Sequence, residues 1–413
     1  MPTMCAGITR AKVDNHNKKA GRPMTEFDDI RPYNDAEVPV VIARLVADPE
    51  FLNLLLSRKL PTLSKLPFLK LIARPFLRNS LRKLAADVRT VEDFQAHMSA
   101  ALKNVLDRTT DGYTFSGIKN LDASKAYLFM SNHRDIALDP AIINLALILE
   151  KLNTVRIAIG DNLLRKPYAS DLMRVNRSFI VRRSVKSRRD KLEALKTLSR
   201  YIRHSVVSEK VSCWIAQAEG RAKNGSDRTE TALLKMLALS RAQGQTFGAA
   251  ITEINLIPVA ISYEYDPCAG DKARELHAAE QGLTYIKNEF EDLDTIVKGL
   301  VEYKGRMHVH FGEPVTTEFD NADQLAAEVD RQILSHYRLF PSHIIAWQMQ
   351  GNKDKTVLAT LKQQWPNENW LEAETRFQSQ VATIPSIHRQ IAIDAYAAPV
   401  DNQLAQQTQS QES

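Results

Sequence analysis

Three residues in one short stretch have the types and spacing for acid–base chemistry. In "SNHRDIALDP", residues 131–140, His133 closes the approach of the apolar run Ala126–Met130, and Asp135 and Asp139 follow it. A histidine that takes a proton from a hydroxyl needs its second ring nitrogen held by an acceptor, and a carboxylate a few residues on can supply one. The same residues also fit a helix start, with Asp139 as N-cap and Pro140 at the first helical position. Both readings place His133 in a strand-to-helix loop.

Three further stretches carry charge or apolar surface suited to a ligand. In "CWIAQAEGRAKNGSDRT" a strand delivers Glu219 and Gly220 into Arg221, Lys223, Gly225 and Arg228. Glycine permits close approach of a ligand, and guanidinium and ammonium groups suit an oxygen-rich anion such as a phosphate. Gly220 to Ser226 has the two glycines of a P-loop but lacks the Lys-Ser/Thr that must follow the second, which excludes nucleotide hydrolysis of that type. "RVNRSFIVRR" sets Arg182 and Arg183 after the strand core Phe179-Ile180-Val181, and alternation sends them to opposite faces. "INLIPVAISYEYDP" is an apolar strand interrupted by Pro258. His308 and His310 share a strand face without a third ligand near in sequence, so no metal site is expected.

The elements that must position these residues follow from periodicity. Asp35 to Asp107 has apolar residues recurring at three and four, a helical region. Between Gly112 and Val315, short strand-like runs ("AYLFMS", "RIAIG", "SFIVRR", "VSCWIAQ", "INLIPVAISYEY", "RMHVHFG") alternate with helical ones. That alternation implies an α/β architecture with a largely parallel central sheet, whose functional residues gather at strand C-termini. The expected organisation is a disordered basic lead-in over 1–23, an N-terminal helical region over 24–111, a catalytic domain over 112–318, C-terminal helices over 319–398 and a disordered tail over 399–413.

The 413 residues are 44% hydrophobic and 25% charged, a globular composition with a formal net charge of +6. A basic balance favours an anionic partner. Three cysteines, Cys5, Cys213 and Cys268, are too few and too scattered for a disulfide framework or a zinc site. No apolar run is long enough for a spanning helix. The stretch from Arg58 to Ala86 mixes Lys70, Arg74, Arg78 and Arg82 with Phe68, Ile72, Phe76 and Leu84 and has no acidic residue. A segment lying in an anionic membrane interface is built this way, as is a solvated basic face, and Pro75 is expected to split it into two helices.

Taken in order, the four stretches resemble the sequence blocks of the glycerolipid acyltransferase superfamily, the glycerol-phosphate and lysophosphatidic acid acyltransferases. Asn132, His133 and Asp139 are similar to the first block, NH-x-x-x-x-D, with one extra residue before the acid, so that Asp135 competes with Asp139 for the role. "SFIVRR" resembles the second block and places Phe179 and Arg182 on matching positions. "AEGRAKNG" resembles the third, one residue short after Gly220, and supplies Glu219, Gly220, Arg221 and Lys223. "LIPVAISYE" resembles the fourth, with Pro258 on its proline. The resemblance runs over roughly residues 115 to 315, half the chain.

The resemblance implies transfer of a fatty acyl group from a thioester of coenzyme A or acyl carrier protein to a hydroxyl of a glycerol-phosphate or lysophospholipid acceptor. His133 would act as general base and Asp139 would orient it; Arg182, Arg221 and Lys223 would hold phosphate; Phe179 and the Pro258 strand would bind substrate on the acyl side. No metal or resident cofactor is implied. A lipid product adds weight to peripheral attachment at the inner face of a membrane, and no nucleic-acid-binding motif accompanies the charge. The alternatives are an acyltransferase for another lipid acceptor and a catalytically silent membrane-binding protein.

Overall fold

The computed structural model describes residues 26–59, 67–288, 291–351 and 354–412. The lead-in over 1–23 and the segment 60–66 within the basic-apolar stretch lie outside the described residues.

A seven-stranded sheet forms the centre, built from β1 (Gly112–Ser116), β2 (Leu128–Ser131), β3 (Arg156–Gly160), β4 (Ser178–Val181), β5 (Cys213–Ala216), β6 (Leu256–Tyr263) and β7 (Arg306–Phe311). Their order is β1-β7-β6-β2-β5-β3-β4, parallel throughout except where β7 runs antiparallel to β6. The fold is therefore α/β with a largely parallel sheet, and six of the strands are those read from the sequence. β1, an edge strand with Thr114 exposed and Ser116 half-buried, lacks the apolar run that marks the others.

Among the described residues, four α-helices precede β1: α1 (Val38–Leu45), α2 (Pro49–Lys59), α3 (Pro67–Leu84) and α4 (Val91–Thr109). The sheet is layered by α5 (Leu138–Leu149), α6 (Pro167–Val175), α7 (Arg188–Arg203), α8 (Thr231–Leu237), α9 (Phe247–Thr252), α10 (Ala269–Glu280), α11 (Glu291–Val301) and α12 (Ala322–His336). The chain ends in α13 (Pro341–Met349), α14 (Lys355–Gln363), α15 (Trp370–Ala382) and α16 (Ser386–Glu412).

Strand alternation divides the core in two. Leu128 and Met130 of β2 face one side, with Leu198 and Tyr201 of α7, Leu234 of α8 and Val329 and Ile333 of α12. Phe129 faces the other, with Ile142 and Ala146 of α5, Leu106 of α4 and Trp214 of β5. Because α12 fills the first layer, the expected boundary at 318/319 cuts through the sheet's own core. The N-terminal helices dock on α6, where Arg44 grips Asp171 through two hydrogen bonds of 2.5 and 2.6 Å.

Two expectations are corrected. Pro75 lies inside α3, which continues on both sides of it, since a proline removes one helical hydrogen bond without forbidding those beyond. The segment from 399 is helical rather than disordered: α16 runs through Pro399 to Glu412. Val400 is fully buried, Asn402 donates to the Gly225 carbonyl at 3.1 Å, and Gln403 donates to those of Leu334 and Tyr337 at 2.9 and 2.5 Å. A polar low-complexity composition hides these anchors, because they are bonds to distant backbone.

Candidate active site

Strands β2, β3, β4, β5 and β6 run in one direction, so their C-terminal ends share one edge of the sheet. At that edge opens a cleft of about 620 Å³. β2 ends at Ser131 and hands Asn132 and His133 to this edge. Asn132 is a staple: its side-chain amide donates to the Ile261 carbonyl at 3.0 Å and accepts from the Ile261 N–H at 2.8 Å, tying the loop to β6.

His133 Nδ1 lies 2.8 Å from Asp139 Oδ2. The same oxygen accepts from the backbone N–H groups of Arg134 and Asp135, at 2.6 and 2.9 Å, and Oδ1 accepts from the Tyr263 hydroxyl at 2.7 Å. Asp139 is wholly buried, whereas the His133 side chain is 15% exposed and lines the cleft. A proton on Nδ1 directed at this carboxylate leaves Nε2 to accept one from the cleft side. The imidazole edge meets the indole of Trp214, with ring centroids 5.7 Å apart.

Asp135 takes the capping role expected of Asp139. Its Oδ1 accepts from the N–H groups of Ala137 and Leu138, at 3.0 and 2.8 Å, at the start of α5. The extra residue before Asp139 is accommodated here, since Asp139 and Pro140 fall inside α5's first turn instead of at its N-cap and first position. Burial, then the neighbouring Asp139 charge, pushes the Asp135 carboxyl up to about 6.

The anion-binding candidates divide. Arg182, Glu219, Gly220, Arg221 and Lys223 all line the cleft with His133. Gly220 has φ +83, a conformation that disfavours any side chain, and turns the chain after β5 so that Ala222 N–H donates to the His133 carbonyl at 2.8 Å. Two of the cations are already engaged, Arg182 with Asp29 at 3.0 Å and Lys223 with Glu275 at 2.9 Å, whereas Arg221 Nη1 is buried without a hydrogen-bond partner among the described residues. Arg183, expected on the opposite face from Arg182, also lines the cleft, because β4 ends at Val181 and alternation no longer governs the residues beyond it.

Phe179 and Pro258 are not brought to the cleft. Phe179 is fully buried in the core against Tyr201, their rings 5.1 Å apart. Pro258 sits within β6 opposite Met130, and its carbonyl accepts from Gly312 N–H at 2.9 Å. The apolar wall comes instead from Ile157 and Ile159 of β3, Met173 of α6, Leu195 and Leu198 of α7 and Met236 of α8. His308 and His310 lie opposite Ser262 and Ala260 of β6 and do not line the cleft: both bond Ser116 Oγ, at 2.9 and 2.8 Å, and His310 stacks on His336. No group of three or more metal-ligating side chains occurs among the described residues.

Sequence reasoning missed the buried polar support beneath the loop. Arg134, beside the histidine, pairs with Asp227 at 2.6 Å, and its carbonyl accepts from Lys272 Nζ at 2.7 Å. Lys272 also pairs with Asp266. Tyr263 was visible only as the end of an apolar strand. Its burial beside Asp139 raises the phenol well above its ordinary value, so it remains a donor.

Residues 112–262 match the family model described as Acyltransferase. A solved structure, the 1-acyl-sn-glycerophosphate (LPA) acyltransferase PlsC from Thermotoga maritima, is similar over 63% of this chain and 83% of its own, with 14% identity and a TM-score of 0.33. A search of curated proteins finds no match.

Proposed function

We propose that the chain is an O-acyltransferase that moves a fatty acyl group from a thioester to a hydroxyl of a glycerol-phosphate or lysophospholipid acceptor, for phospholipid synthesis. The observation that carries this reading is the 2.8 Å His133–Asp139 pair set in a cleft whose wall passes from aliphatic to cationic. An aliphatic wall suits the acyl chain and the cations suit a phosphate.

In this mechanism His133 Nε2 takes the acceptor hydroxyl's proton as its oxygen attacks the thioester carbonyl. The tetrahedral intermediate collapses, the C–S bond breaks, and the same proton goes to the departing thiolate. Asp139 holds the Nδ1 proton and stabilises the imidazolium between the two steps, and Tyr263 holds Asp139. The acceptor is the nucleophile, so no enzyme serine or cysteine attacks. Both Cys213 and Cys268 are buried, and burial pushes each thiol up to about 12. Arg182, Arg183, Arg221 and Lys223 position the phosphate and so the hydroxyl.

Attachment is peripheral in this reading, at the inner face of the membrane. In α3, Phe76 is 73% and Leu84 65% exposed beside Arg82 and Lys83, and no helix among the described residues is long and apolar enough to cross a bilayer. The test is transfer of labelled acyl groups, from coenzyme A and from acyl carrier protein, to a panel of glycerol 3-phosphate and lysophospholipids. Product with one acceptor class supports the reading and names the acceptor. Absence of product with every donor and acceptor pair rejects it.

A further inference from the structure

Ile286 is 85% exposed, the most open of the large hydrophobic side chains among the described residues, and it belongs to a loop that is firmly built. α10 ends in a Schellman arrangement, with Gly282 at φ +69, Gly282 N–H donating to Ala279 and Leu283 N–H donating to Ala278, both at 2.9 Å. The residue in Leu283's position ordinarily folds back on the helix. Here it remains 65% exposed. Two residues on, the Tyr285 hydroxyl bonds both Glu291 carboxylate oxygens at 3.0 and 3.1 Å, and the Arg274 guanidinium lies 5.5 Å over the ring. Tyr285 is thereby drawn in, while Leu283 and Ile286 on either side of it are left in water.

This tip adjoins the cleft. Lys287, the next residue, lines the cleft and pairs with Asp292 at 3.0 Å. α7 lines the same cleft through Lys191 and Leu195, and Leu192 and Leu195 are 45% and 41% exposed. The start of that helix adds exposed Lys186, Arg188 and Arg189. Protruding aliphatic side chains among cations match a bilayer, which offers hydrocarbon to the first and lipid phosphate to the second. An acidic carrier protein would pair with the cations but would leave Leu283 and Ile286 without a reason to protrude.

We propose that the loop 281–288 docks the cleft on an anionic lipid bilayer, with Leu283 and Ile286 entering the interface. The proposal rests on the acyltransferase reading: a lipid acceptor then passes between bilayer and cleft without crossing water. It adds a second lipid contact to that of α3 and fixes which side of the molecule faces the membrane.

The test uses the full chain with Leu283→Glu and Ile286→Glu combined, binding to vesicles of phosphatidylglycerol and phosphatidylcholine measured by flotation. Phe76→Glu reports the α3 surface separately. The combined variant should bind at least about tenfold more weakly, since each exchange puts a charge where an aliphatic group would enter the bilayer. Ile286→Leu should bind as the native chain does. Transfer between a short-chain acyl-coenzyme A and glycerol 3-phosphate, both water-soluble, should be unchanged in the combined variant, because neither residue lines the cleft. Vesicle affinity within twofold of native overturns the docking proposal. So does unchanged vesicle affinity with lowered transfer from acyl carrier protein, which would make the loop a protein-docking surface. Failure of the acyltransferase reading is distinct, since it appears as absent transfer by the native chain.

Discussion

Tyr263 and His133 grip the same carboxylate from opposite ends: the phenol reaches Asp139 Oδ1 at 2.7 Å and the imidazole Oδ2 at 2.8 Å. The tyrosine comes from the C-terminal end of β6 and the histidine from that of β2, so sheet register sets the distance between them. Asp139→Asn offers an amide where a carboxylate accepted, which disturbs the Nδ1 proton. It should lower kcat by roughly 10³- to 10⁴-fold, by analogy with the acid of hydrolase triads. Tyr263→Phe removes one donor and should cost only about tenfold, with KM nearly unchanged. Steady-state kinetics of the two variants check the ranking.

Asp135 should behave oppositely to Asp139. It caps α5 rather than facing the histidine, so Asp135→Asn, which keeps an acceptor oxygen, should retain most activity.

The pH dependence of stability separates the two further. With its carboxyl raised to about 6, the folded protein holds the Asp135 proton more tightly than the unfolded chain does. Stability from this group therefore falls as pH rises through the interval from about 4 to 6. Melting curves should show the Asp135→Asn variant gaining on the native protein between pH 4 and pH 7.

The histidine cluster on β7 titrates with the reverse sign. Burial, with neighbouring Arg338 for His308 and His336 for His310, pushes both imidazoles down to about 4. The unfolded chain then binds protons that the folded one does not, and stability is lost as pH falls from about 6.5 toward 4. His310→Gln should lose less Tm over that range than the native chain.

Arg134 and Asp227 form a buried pair beneath the histidine loop. Arg134→Met leaves the carboxylate without its cation and should destabilise by about 3–5 kcal/mol. Gly225 carries the contact to α16: its φ is +77, and a Cβ there would stand 2.2 Å from the Ala395 carbonyl oxygen. Gly225→Ala should cost more than about 1 kcal/mol. Denaturant unfolding measures both.

What was legible in the sequence is what local pattern encodes. Short apolar runs bounded by polar residues marked six strands, and the rule that parallel strands expose function at their C-terminal ends placed His133, Arg182 and Arg221 on one edge. Whether Asp135 or Asp139 faced His133 depended on one extra residue being absorbed in α5's first turn, which spacing alone does not reveal. Phe179 and Pro258 matched block positions but fill the core, because a residue next to a site in sequence alternates away from it in a strand. Tyr263, Asp227 and Lys272 act across more than ninety positions of chain and leave no local mark. The helical end beyond Pro399 was hidden for the same reason.

The central claim is that His133 moves the proton in acyl transfer. Its most direct test is the rate with labelled acyl-coenzyme A or acyl carrier protein and the preferred acceptor, for native chain and His133→Ala, with matched melting curves to establish that both are folded. The account predicts a loss in kcat of roughly 10²- to 10⁴-fold with Tm little changed. A folded His133→Ala variant that keeps native kcat would contradict it.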